Sequence, residues 1–143
     1  MQTTPETRAR MSRQKSRNTD VEMALRRALH AAGLRYRVHR RPLSKVRREA
    51  DILFGPVKVA VFVDGCFWHG CPEHATWPKS NAEFWRTKIE GNRLRDRNTD
   101  DLLAAAGWLA VRVWEHEDPI KAAIRVQRLV MARRAEIAKA VGL

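Results

Sequence analysis

The run Val57-Lys58-Val59-Ala60-Val61-Phe62-Val63 constrains the fold more than any other stretch of this chain. It follows Glu49-Ala50-Asp51-Ile52-Leu53-Phe54 across a Gly55-Pro56 turn. β-Branched residues on both sides of such a turn read as two strands joined in a hairpin. Upstream, Thr19-Asp20-Val21-Glu22 reads as a capping box, and Val21, Leu25, Ala28, Leu29 and Ala32 recur at helical spacing before Gly33. This predicts an amphipathic helix over roughly 20–32. Tyr36-Arg37-Val38 reads as another short strand. Ser80-Asn81-Ala82-Glu83 opens a second helical region, which a break near Gly91 or Asn98 would divide before it ends at Gly107. Trp108 to Trp114 is the last strand, and a helix from Pro119 to Ala140 follows. The order helix, three strands, helix, strand, helix predicts an α/β protein with a mixed sheet flanked by helices on both faces.

At 143 residues this is one domain with enough chain to bury a core. Its 28 basic residues against 16 acidic ones give a net charge of +12, and the cations are clustered. Arg8, Arg10, Arg13, Lys15 and Arg17 mark residues 1–17 as a mobile basic arm, leaving 18–143 as the single domain. Arg35, Arg37, Arg40, Arg41, Lys45, Arg47 and Arg48 form a second cluster that contains no acid. Two such clusters point to a polyanion, with nucleic acid favoured over a membrane surface. No apolar run approaches the length of a membrane span and the first residues hold no apolar signal core, so a cytoplasmic protein is expected.

Cys66, Cys71 and His74 fall close together, and His116 follows the last strand. Thiolates and imidazoles at this spacing suit a closed, structural zinc site; a Cys66–Cys71 disulfide is the alternative, disfavoured in a cytoplasmic chain. Asp51 lies within an otherwise apolar strand, where an unpaired carboxylate would cost on the order of several kcal/mol. A hard cation such as Mg²⁺ would compensate it, and so would an ion pair with Arg47 or Arg48. Asp64 ends the partner strand, and His69 lies just beyond it as a group able to manage protons. Phe67, Trp68 and Trp85 are either core or aromatic wedges for stacked bases.

Together, "RQKSRNTDVE", "ADI", "FVDGCFWHGCPEH", "FWRTKIEGNRLRDRN" and "GWLAVRVWEHE" closely resemble the very short patch repair (Vsr) DNA mismatch endonucleases over roughly residues 11–118. The resemblance implies a restriction-endonuclease-like (PD-(D/E)XK-related) fold with a structural zinc site. It also implies a Mg²⁺-dependent nick beside the T of a T:G mismatch, the lesion left when 5-methylcytosine deaminates. By position, Asp51 and the backbone carbonyl of Val63 would hold Mg²⁺, and His69 would be the catalytic histidine. Glu22, Asp64 and Asp96 would lie at the active site, while Cys66, Cys71, His74 and His116 would hold Zn²⁺. Phe67, Trp68 and Trp85 would form the wedge, and Arg13, Lys15, Arg17, Arg47 and Arg48 would grip the phosphates.

Implied partners are double-stranded DNA carrying a T:G mismatch, mismatch-repair proteins, and a functional link to a cytosine-5 DNA methyltransferase. The enzyme would act as a monomer beside the bacterial nucleoid, without a membrane. Three departures stand out: Val63 replaces a threonine of the best-known members, Asp64 replaces a histidine, and the zinc set differs in spacing and in His/Cys identity. The lysine of the PD-(D/E)XK pattern has no clear counterpart.

Overall fold

A computed structural model of the chain describes residues 19–65 and 82–142. Helix α1 (Asp20–Ala31) precedes strands β1 (Arg37–Arg40), β2 (Ala50–Phe54) and β3 (Val59–Asp64). Helix α2 (Ala82–Ala105), strand β4 (Leu109–Trp114) and helix α3 (Pro119–Ala140) follow. The four strands form one sheet in the order β1-β2-β3-β4; the first three are antiparallel, and β4 runs parallel to β3. A parallel return needs a long crossover, and α2 lies within it.

The apolar character of β3 is explained by what covers it. Val59 and Val61 face one way, into a cluster with Ile52, Phe54, Val111 and Val113 that also holds Leu25 and Leu29 of α1 and Val126 and Val130 of α3. Ala60 and Phe62 face the other way and meet Leu53 and Leu103 of α2. Successive strand residues alternate between faces, so a strand covered on both sides must be apolar throughout.

Thr19 caps α1 by accepting the Glu22 N–H at 3.3 Å. Gly33, at φ +89°, closes the helix with a bond from the Leu34 N–H to the Leu29 carbonyl. Asp118 caps α3 by accepting the Ile120 N–H, with Pro119 at the first helical position.

Three sequence expectations are corrected. The short strand runs from Arg37 to Arg40, not from Tyr36 to Val38, and the β3 run begins at Val59. Helix α2 is continuous through Gly91 and Asn98. A helical glycine costs only about 1 kcal/mol, and a buried stripe of Trp85, Ile89, Asn92, Thr99 and Leu103 runs the length of the helix, with Leu103 packed on the sheet.

Candidate active site

Asp51 stands on β2 and turns its carboxylate toward the end of β3, where Oδ2 accepts the Val63 N–H at 2.7 Å. In an extended strand, N–H and C=O of one residue point to the same side, so the Val63 carbonyl also faces this edge. The Asp64 carbonyl faces the opposite way and accepts the Glu115 N–H at 3.0 Å. Burial pushes the Asp51 carboxyl up to about 7; the Val63 N–H pulls it down, and the charges of Glu22 and Asp64 add to the rise. A bound cation would restore the carboxylate.

Two more donors converge here. Glu22, only 2% exposed, projects from the first turn of α1, and His39 projects from β1. His39 Nε2 lies 3.3 Å from Glu22 Oε2, which also receives Arg26 Nη1 at 3.2 Å. One ligand atom each from Glu22, His39 and Asp51 lie within 4.8 Å of one another. Two carboxylates and an imidazole at such spacing fit a divalent cation.

A second polar cluster borders this group. Arg112, a lone cation in apolar β4, reaches Asp64 at 3.2 Å, Asp96 at 3.6 Å and Asp100 at 2.7 Å. Its guanidinium carbon also sits 4.1 Å from the centre of the Phe62 ring. Burial alone would lower the arginine's pKa, but the three aspartates, Asp64 foremost, hold it above the ordinary value. Asp51, Asp64, Asp96 and Arg112 line one cleft with Arg48 and Arg95. Beside it, exposed Arg37, Arg40, Arg41, Lys45 and Arg47 continue the positive surface along edge strand β1 and its following loop.

The structure therefore brings Asp51, Val63, Glu22, Asp64, Asp96 and Arg48 into one neighbourhood. No ion pair joins Asp51 to Arg47 or Arg48 among the described residues; the loop arginines leave the compensation of this acid to its other neighbours. Trp85 is 4% exposed and packs edge-on against exposed Phe84. His116 stacks on Trp114, with ring centres 6.5 Å apart. Cys66, Phe67, Trp68, His69, Cys71 and His74 lie outside the described residues, as do Arg13, Lys15 and Arg17.

Sequence reasoning missed His39 and Arg112. A lone cation in an apolar strand signals Arg112, because burial requires acids around it. His39 is visible only from strand register, which places it opposite Asp51 between the pairs Val38↔Ile52 and Arg40↔Ala50.

A mixed sheet with a cation-suited carboxylate group at one strand end and a cleft rimmed by arginines defines the class: an α/β protein with a polar site open to an anionic ligand. The profile of a family described as DNA mismatch endonuclease Vsr matches residues 2–74. The type II nicking enzyme V.NaeI of Lentzea aerocolonigenes is 47% identical over 102 residues, covering 70% of this chain and 61% of that protein. The type II nicking enzyme V.XorIIP of Xanthomonas oryzae pv. oryzae is 42% identical over 116 residues, 79% of this chain and 82% of that protein. The DNA mismatch endonuclease Vsr of Escherichia coli is 33% identical over 104 residues, 70% of this chain and 63% of that protein. The chain thus spans less than two thirds of the Lentzea and Escherichia relatives' own length. It belongs to the DNA mismatch endonuclease Vsr family.

Proposed function

We propose that this chain is a DNA endonuclease that nicks one strand beside the T of a T:G mismatch arising from 5-methylcytosine deamination, using Mg²⁺. The observation that carries the reading is the Glu22–His39–Asp51 group beside a cleft that Arg48 and Arg95 line. Acids alone would repel the phosphate backbone. Arginines at the same opening attract it and orient it over the acids.

In this reading the Asp51 carboxylate and the Val63 carbonyl would hold Mg²⁺. When bound, the ion would withdraw charge from the scissile phosphate and make an attacking water more acidic. Glu22, buried and fixed by Arg26, orients donors around that position. Arg112 holds Asp64 and Asp96 away from the phosphate, limiting the negative charge that DNA meets. His69 moves a proton between water and leaving group, and cleavage leaves a 5′-phosphate and a 3′-hydroxyl. Phe67 and Trp68 enter the stack at the T:G step, where weak pairing lowers the cost of deformation. Cys66, Cys71, His74 and His116 would hold a structural Zn²⁺. The protein acts as a monomer in the bacterial cytoplasm, where a cytosine-5 DNA methyltransferase creates the base whose deamination it answers and mismatch-repair proteins act downstream.

The test is strand nicking on duplexes that differ only in T:G or T:A, across several flanking sequences, with Mg²⁺ or EDTA, and with Asp51→Asn as control. A Mg²⁺-dependent nick confined to T:G and lost in Asp51→Asn is expected. Equal cutting of the T:A duplex would remove mismatch repair as the function, and binding without a nick would remove catalysis.

A further inference from the structure

Antiparallel register places His39 on β1 directly across from Asp51 on β2, flanked by the pairs Val38↔Ile52 and Arg40↔Ala50. At His39 the backbone leaves the extended region for φ +52°, a conformation uncommon for a residue with a side chain. The result is specific. Its imidazole Nε2 lies 3.3 Å from Glu22 Oε2, and one ligand atom each of His39, Glu22 and Asp51 lie within 4.8 Å of one another. Around an octahedral cation with bonds of about 2.1–2.3 Å, adjacent donors sit about 3.0–3.3 Å apart and opposite ones about 4.2–4.6 Å. The His39–Glu22 spacing is that of adjacent donors.

At the β3 end of the site stands Asp64, whose carboxylate is held by Arg112 at 3.2 Å. Among the described residues, the imidazole grouped with Asp51 comes from β1.

We propose that His39 is a direct nitrogen ligand of the cation held at Asp51, so that the site is a mixed nitrogen and oxygen one that favours Mn²⁺ over Mg²⁺. This rests on the reading above that Asp51 holds the cation. Mg²⁺ takes oxygen donors and gains little from imidazole, whereas first-row transition ions bind nitrogen more strongly. His39 thereby raises the affinity of the site for Mn²⁺ relative to Mg²⁺, the ion that the Asp51 and Val63 oxygens alone would serve.

The experiment titrates MnCl₂ into the full-length protein, reading bound Mn²⁺ by electron paramagnetic resonance and its nitrogen neighbours by electron spin echo modulation. Mg²⁺ affinity is read by its competition with Mn²⁺. His39→Asn is the main variant, because asparagine accepts the left-handed backbone but is too short to reach the same point. His39→Gln is a second variant of similar reach, and circular dichroism confirms that each is folded. The expected result is a directly coordinated ¹⁴N coupling that disappears in both variants. Mn²⁺ binding weakens about tenfold and Mg²⁺ binding no more than about twofold, as loss of a nitrogen donor requires. The Mn²⁺-to-Mg²⁺ ratio of nicking rates falls in parallel. A wild-type Mn²⁺ signal without ¹⁴N coupling, or equal weakening of both ions, overturns the proposal while leaving a cation at Asp51. Asp51→Asn separates the two failures: persistence of the same Mn²⁺ site in that variant overturns both this proposal and the placement of the cation at Asp51.

Discussion

The carboxylate of Asp51 accepts the backbone N–H of Val63 at 2.7 Å, so the acid of β2 and the backbone near the end of β3 are one unit. The bond points the charge at the strand end, where Glu22 and His39 also arrive. It only partly offsets burial, which pushes this carboxyl up to about 7.

That displacement makes stability depend on pH with a definite sign. A carboxyl whose folded pKa is raised favours the folded state below its ordinary value of 3.8 and loses that advantage as pH rises toward about 7. Metal-free wild type and Asp51→Asn should therefore match in stability near pH 4. At pH 8 the variant should be more stable, on the order of 2–4 kcal/mol. Urea unfolding at several pH values with EDTA present checks this; a gap that shrinks with rising pH contradicts it. Mg²⁺ should raise the melting temperature of the wild type at pH 8 and leave Asp51→Asn unchanged.

Removing Arg112 should be costly. Its guanidinium serves Asp64, Asp96 and Asp100 together, and the Asp64 side chain is 7% exposed. Arg112→Met leaves these charges facing one another and should lose about 3 kcal/mol in denaturant unfolding. Arg112→Lys should recover part of this, since an ammonium keeps the charge but not the fork. A loss below about 0.5 kcal/mol for Arg112→Met would show that water, not the arginine, carries the three acids.

The basic rim should act through phosphates. Arg47→Ala with Arg48→Ala should weaken binding to matched and mismatched duplex alike. The slope of log affinity against log salt should fall by roughly one per lost phosphate contact. Fluorescence anisotropy from 50 to 200 mM salt (~fourfold range) measures this. A change confined to the mismatched duplex would instead assign these arginines to base recognition.

The cap of α1 should couple stability to the site. Thr19→Ala removes the acceptor for the Glu22 N–H and should cost about 1 kcal/mol. Because Glu22 sits in the turn that this cap fixes, Mg²⁺ affinity should fall by about twofold to fivefold as well. Thr19→Ser, which keeps the hydroxyl, should restore both in thermal unfolding and calorimetric titration.

Much of this was legible in local pattern. The cap at Thr19, the apolar spacing of Leu25 and Leu29, the Gly55-Pro56 turn and the run into Val63 set the element order, because period and turn chemistry act over a few residues. Asp51 declared itself as an acid in an apolar strand, and Glu22 and Asp96 came from resemblance. Gly91 misled, since local propensity suggested a break where the buried face of α2 holds a continuous helix.

Which groups meet was decided only in three dimensions. Arg112 reaches Asp64 across 48 residues of chain because β4 returns parallel to β3. His39 faces Asp51 because β1 and β2 pair in one register, and a shift by one residue would carry it to the other face. The sequence by itself determined which segments become helix or strand and which acid demands a partner. The tertiary structure decided which partner it receives, since register and crossover geometry arise from side chains packing between segments distant along the chain.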